Sequence, residues 1–162
     1  MTAEAPVGLD AVEVNLAQVD VRADPAQVPF EAPDPNTVTT WMGREVLWLR
    51  SDEWLLVSEP GTEEAIVDEL RAALAGVHHS VIDVSANRTI FDLTGALDLL
   101  STGCGLDLDP SRWRPGMCAQ TLFGGAQVIL HRLDERTTRV FVRPSFADHV
   151  VSRLLAARPF TG

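Results

Sequence analysis

The stretch REVLWLRSDEWLLVSEPGTEEAIVDELRAALAG, residues 44–76, sets the architecture of this chain. Its first half holds two runs of strand-forming residues around Arg50-Ser51-Asp52-Glu53. A tip at Ser51-Asp52 sets Arg50 opposite Glu53, Leu49 opposite Trp54 and Trp48 opposite Leu55, each a favourable cross-strand pair. Both faces of such a hairpin carry large apolar groups, so cover is expected on both. The second half changes period. Thr62 stands as the cap, Glu63 and Glu64 fill the first turn, Ile66, Leu70 and Leu74 share one stripe, and Gly76 stops the helix. Two antiparallel strands followed by a helix make a ββα unit.

On the N-terminal side, residues 1–10 read as frayed and disordered. VEVNLAQVDVR (12–22) reads as a strand with one slip in its alternation, a bulge. Residues 23–36 carry prolines at 25, 29, 33 and 35 and read as an extended connector. On the C-terminal side, HSVIDVS and RTIFDLT are strands, and GALDLLSTG (95–103) is a short helix closed by Gly103. MCAQTLF-GG-AQVILHRLD is a hairpin with a glycine pair at its tip, followed by the strand TRVFVR. SFADHVVSRLLAAR (145–158) is a helix with Ser145 and Asp148 in capping-box relation and a stripe of Phe146, Val150 and Leu154. The order β, ββα, ββα, βββα predicts an α+β fold with a largely antiparallel sheet, as a single domain over residues 11–160.

With 162 residues, this chain can bury roughly 70% of its unfolded surface, enough for a core without staples. Net charge is −10 and uneven: residues 1–70 hold 15 acids and 3 arginines, residues 71–162 hold 8 acids and 10 arginines. An acidic chain with scattered arginines repels phosphate backbones, so nucleic acid is excluded as a partner. No apolar run reaches the ~18 residues of a membrane helix, and MTAEAPVGLD has no secretory pattern, so no membrane partner is expected. Two cysteines without framework spacing suit a reducing cytoplasm. All 13 basic residues are arginine and there is no tyrosine, which removes lysine Schiff bases, Walker lysines and tyrosine acids.

Chemistry would have to come from the cysteines, histidines or buried acids. Cys104 and Cys118 lie fourteen positions apart with no histidine between them, unlike the close ligand pairs of a structural zinc site. His78 and His79 precede a strand and point to opposite faces. Cys104 follows a helix C-terminus, where the dipole disfavours a thiolate, so both cysteines read as small apolar fillers. Asp83 and Asp92 sit in apolar strands, and Arg88 and Arg143 are the expected partners in structural ion pairs. No nucleophile elbow, His-Glu-x-x-His or dinucleotide fingerprint is present. The residues left for function are interface candidates: Trp48, Arg88, Arg112, Trp113, Arg114 and Arg143, tryptophan and arginine being the types most enriched at hot spots. Trp54 reads as core. Trp113, between two arginines in a proline-bounded loop, reads as a partner contact.

Several segments in order, LWLRSDEWLLV, VIDVSANRTIFDLTGALDLLSTGCGLDLDP, RPGMCAQTL and RPSFADHVVSRLL, resemble the gamma subunit of heterotetrameric sarcosine oxidase from about residue 36 to 158. One departure is Arg50-Ser51, where the family often has Gly-Pro, which bears on the turn type. The resemblance implies a fold similar to part of the aminomethyltransferase (glycine-cleavage T-protein) folate-binding domain. It implies a non-catalytic cytoplasmic subunit beside alpha, beta and delta chains, in a complex that oxidatively demethylates sarcosine to glycine, forms peroxide and passes the one-carbon unit to tetrahydrofolate. FAD, FMN, NAD, zinc and tetrahydrofolate are then held by the other subunits and none by this chain. The alternative is a stand-alone folate-binding or one-carbon-transfer protein of the aminomethyltransferase type. The chain is short for that fold, and Thr102 precedes Gly103-Cys104 where the iron–sulfur-assembly relatives carry lysine.

Overall fold

In the computed structural model, residues 10–157 are described. The frayed segment expected over 1–10 lies outside them, except for Asp10, whose carbonyl accepts a bond from the Thr94 N–H (2.9 Å). In chain order the described elements are β1 (Ala11–Val14), β2 (Ala17–Ala23), β3 (Val38–Trp41), β4 (Arg44–Arg50), β5 (Glu53–Ser58), α1 (Glu63–Ala73), β6 (His79–Asp83), β7 (Thr89–Thr94), α2 (Leu97–Ser101), β8 (Cys118–Phe123), β9 (Ala126–Arg132), β10 (Thr137–Val142) and α3 (Ala147–Ala156). They form two compact units, one of residues 10–14 with 87–157 and one of residues 15–86. Each has a five-stranded sheet, ordered β1-β7-β10-β9-β8 in the first and β3-β4-β5-β2-β6 in the second, and every pairing is antiparallel. The fold is α+β, as the periodicities require.

The unit of residues 15–86 contains the stretch quoted first. The helix forms where expected, with Ile66, Leu70 and Leu74 fully buried against Val19, Val21, Val46, Trp54, Leu56 and Val81 of the sheet. Each such side chain contributes about 1.5–3 kcal/mol by leaving water. Thr62 is the N-cap by position, but its hydroxyl donates to the Glu59 carbonyl (2.6 Å) instead of capping the helix. Leu47, Leu55 and Val57, of opposite parity on β4 and β5, are buried too, as the two apolar faces of the hairpin demand. The pairing itself corrects the expected register. Arg50 does face Glu53, but a bulge between Trp48 and Arg50 sets Trp48 opposite Trp54 and Leu47 opposite Leu55. One extra residue in β4 shifts every later pair by one.

One other expectation fails because local alternation does not name a strand's partner. The slip in residues 12–22 is no bulge: β1 ends at Val14 and belongs to the first unit's sheet, while β2 starts at Ala17 in the second's. β6 and β7 form no hairpin, because β6 pairs with β2 and β7 with β1 and β10. β3, hidden behind the prolines, hairpins with β4 through Met42-Gly43, both at positive φ (50° and 76°).

In the first unit the glycine-pair hairpin forms as read. Gly124 and Gly125 both take positive φ (55° and 85°) between β8 and β9, the geometry of a type I′ turn. The α3 helix buries Val150 and Leu154, but Phe146 is 47% exposed and precedes it in a 3-10 turn, Pro144–Phe146. The expected capping box between Ser145 and Asp148 does not form, since that turn displaces Ser145 from the cap position. By sequence, residues 15–86 carry 13 acids and 4 arginines, a net −9, leaving −1 for the rest of the chain.

Candidate interaction site

Trp113 decides how the loop over residues 101–118 is read, and it corrects the expectation of a partner contact. Its side chain is 2% exposed and packs in the first unit's core with Leu93, Leu130, Val140 and Leu154. The indole N–H donates to Thr138 Oγ1 (3.4 Å), which also accepts from Arg132 Nη1 (3.2 Å). Arg132, buried itself, donates through Nη2 to the Glu135 carbonyl and so holds the β9–β10 turn. A flanking pattern of arginine and proline marks the surface course of the backbone and leaves open where the ring between them turns.

The rest of the loop is held locally. The Asp109 carboxylate accepts from the Ser111 N–H (2.9 Å) and hydroxyl (2.6 Å), and these bonds hold its pKa below the usual range. The Asp109 carbonyl accepts from the Trp113 N–H (2.7 Å) and closes the turn before the buried indole. Cys104 Sγ lies 3.6 Å from Thr121 Oγ1 and accepts from the Leu106 N–H (3.4 Å), and Cys118 is fully buried. Gly103 packs so closely that an added Cβ would sit 2.9 Å from the Phe123 ring. Arg112 and Arg114, by contrast, are exposed; Arg112 meets Asp107 at 3.4 Å, an exposed pair.

Arg88 and Arg143 come together. Val142 pairs with Thr89 at the end of β10 and β7, so the two arginines stand one residue beyond that pair on neighbouring strands. With Asn87, Pro144 and Ser145 they line an open cleft of about 490 Å³. The acids expected to pair with them, Asp83 and Asp92, are held by other groups. Asp83 accepts from the Ser85 hydroxyl (2.6 Å) and N–H (3.0 Å), which lowers its pKa. Asp92 instead grips Arg139, its cross-strand neighbour, in a bidentate pair (2.7 and 3.0 Å). That pair was missed, although Asp92 is the one acid of RTIFDLT and Arg139 is one of the two bases of TRVFVR. The same register row continues to His131 and Cys118. Burial, with the Arg139 charge adding to it and Asp92 opposing, lowers the His131 pKa to about 4.

In the other unit Trp48 is half-buried. Nearby in sequence, Arg44 clamps β4 to α1 through a bidentate pair with Glu69 (2.6 and 3.1 Å) and lies 5.2 Å from the Trp41 ring centroid. Trp41, Phe30 and Trp54 continue the aromatic contacts at 6.0 and 5.3 Å. A second cleft, of about 440 Å³, lies among Arg22, Asp24, Asp52, His78 and His79, with His79 Nδ1 donating to the Val77 carbonyl (2.7 Å). Among the described residues no group of three or more His, Cys, Asp or Glu is placed to share a metal ion. No described helix is long and apolar enough to cross a membrane.

The class defined by this architecture is the aminomethyltransferase-like fold. The chain superposes on the glycine cleavage system aminomethyltransferase T from Bartonella henselae with a TM-score of 0.68 at 15% identity, covering 88% of this chain and 44% of that one. Within that class the chain belongs to the sarcosine oxidase gamma subunit family, whose sequence pattern matches residues 21–158. It is 36% identical over 117 residues to sarcosine oxidase subunit gamma of Corynebacterium sp. (strain U-96), covering 71% of this chain and 56% of that protein. The same subunit of an Arthrobacter species matches at 36% identity, over 71% of this chain and 57% of that protein. The chain thus spans somewhat over half the length of these curated relatives. A chain of the heterotetrameric sarcosine oxidase from Corynebacterium sp. U-96, solved in complex with pyrrole 2-carboxylate, superposes with a TM-score of 0.82 at 32% identity, covering 91% of this chain and 82% of that chain.

Proposed function

We propose that this chain is a non-catalytic gamma subunit of a heterotetrameric sarcosine oxidase, assembled in the cytoplasm with alpha, beta and delta subunits. The observation that carries this reading is the joint match in sequence and fold to a chain of such an oxidase over 91% of this polypeptide. The complex demethylates sarcosine oxidatively to glycine, forms peroxide and passes the one-carbon unit to tetrahydrofolate. FAD, FMN, NAD, zinc and tetrahydrofolate belong to the other subunits, and this chain supplies shape and contact area. The commitment of its polar side chains to structure supports that role: Asp92 and Arg139 grip each other, Asp83 and Asp109 hold turns, and Arg132 braces a hairpin. Trp48, Arg88, Arg112, Arg114 and Arg143 are the proposed contact residues, Trp113 being withdrawn to the core.

Co-expression with the three other subunits tests the reading. The expected result is a yellow complex that retains this chain through gel filtration, while the chain alone is colourless, inactive on sarcosine and silent in calorimetry with tetrahydrofolate. Recovery of a stable, fully active oxidase without it, or tight folate binding by the lone chain, refutes the proposal.

A further inference from the structure

We infer that Arg71 guards the outer edge of β6 against pairing with β6 of a second copy of this chain. β6 (His79–Asp83) closes the sheet of residues 15–86 at one end, beside β2. The Gln18 carbonyl of β2 accepts from the Val84 N–H (2.9 Å). Backbone groups alternate sides along a strand, so Ser80 and Ile82 bond β2 while His79, Val81 and Asp83 turn their N–H and C=O groups outward. Among the described residues no strand takes those outward groups. A row of open backbone groups is a template for a further strand. Neither proline nor lysine interrupts HSVID, and Ile82 is 53% exposed on one face of it.

The segment is complementary to itself. A two-fold axis at Val81 in an antiparallel pair sets Val81 opposite Val81, Ser80 opposite Ile82, and His79 opposite Asp83 of the second copy. That register brings the outward backbone groups face to face as hydrogen-bonded pairs. It also puts an imidazole beside a carboxylate at each end, a donor against an acceptor. The contact is isologous, so a second copy satisfies it fully. Arg71 stands at the axis. It lies on the flank of α1, one residue past Leu70 and four past Val67, both buried against the sheet. Its Nη2 donates to the outward Val81 carbonyl (3.0 Å). That carbonyl is the acceptor the central pair needs, and two copies would bring two guanidiniums together there. Arg71 thus opposes pairing twice, by filling an acceptor and by setting like charges across the contact.

Sedimentation velocity of the full-length chain over a concentration series tests the inference. The variants are Arg71→Ala, Arg71→Gln and Arg71→Ala/Ile82→Lys, with Arg136→Ala, an exposed arginine of the other unit, as the control for lost charge. Arg71→Ala is expected to self-associate roughly tenfold or more tightly than wild type. Arg71→Gln, whose amide keeps a donor, gains less, and Arg136→Ala gains nothing. Adding Ile82→Lys returns Arg71→Ala to the wild-type distribution, because a lysine on an edge strand opposes pairing. Hydrogen exchange locates the contact: the His79, Val81 and Asp83 amides gain protection as Arg71→Ala associates. Arg71 is exposed on α1, and Arg71→Gln keeps the test valid if Arg71→Ala disturbs the helix. Wild-type sedimentation of both single variants overturns the inference, as does a wild-type chain already paired through β6. Association that leaves the β6 amides unprotected, or that Ile82→Lys does not reverse, places the contact elsewhere and overturns it too. The subunit reading stands or falls separately, on co-expression.

Discussion

Replacing Trp113 separates a core indole from an exposed contact. A tryptophan buries about 150–250 Å², and at ~25 cal/mol per Å² this is roughly 4–6 kcal/mol as an upper bound. Trp113 is 2% exposed, so almost all of that applies, and core Trp→Ala changes cost about 3–5 kcal/mol. Trp113→Ala is therefore expected to lose about 4 kcal/mol. Trp113→Phe keeps most of the apolar volume and gives up a long hydrogen bond (3.4 Å), and Thr138 retains Arg132 as a donor. Its expected loss is about 1–2 kcal/mol. The assay is urea unfolding of the full-length chain followed by far-ultraviolet circular dichroism, with Arg112→Ala/Arg114→Ala as a surface control staying within about 0.5 kcal/mol. A Trp113→Ala chain within 1 kcal/mol of wild type, coupled with loss of subunit assembly, restores the exposed reading and refutes the packing argument.

Met42→Asn should raise stability by roughly 0.5–1 kcal/mol in urea unfolding, because Met42 holds φ at 50° before Gly43 and Asn-Gly is the pair that type I′ turns favour; destabilisation would count against the turn. Gly103→Ala should cost about 1–3 kcal/mol by pushing Phe123 out of its fully packed position, read as a lowered Tm, and an unchanged Tm would show that the ring yields freely. His131 is neutral in the folded chain down to about pH 4, whereas in the unfolded chain it takes a proton near 6.5. Its contribution is thus complete above that value and falls as pH drops toward 4, by roughly 2 kcal/mol between pH 7 and pH 5. His131→Gln should remove this slope from unfolding free energies measured at the two pH values, and an unaltered slope would show that the histidine is not desolvated.

The helices and the hairpins at residues 44–59 and 117–134 were legible because each rests on contacts between near neighbours in the chain. Period and a Gly-Gly tip act within a few residues. The bulge after Trp48 was not legible, since one extra residue changes the pairing and leaves the composition of the strand untouched. The site candidates divide along the same line. That Arg88 and Arg143 share a cleft follows from β7 lying beside β10, two strands separated by more than forty residues of chain.

By itself the amino-acid sequence determined the α+β class, the antiparallel habit, the positions of the helices and the likeness that leads to the family, because these depend on local pattern and on ordered motifs. Only tertiary structure decided that the strand before Asn15 and the strand after Leu16 join different sheets, that Asp92 meets Arg139, and that Trp113 turns inward. Those outcomes depend on which distant strands pair and on which side of the chain finds apolar cover. Such long-range burial is a property of the assembled sheets that no short window of residues contains.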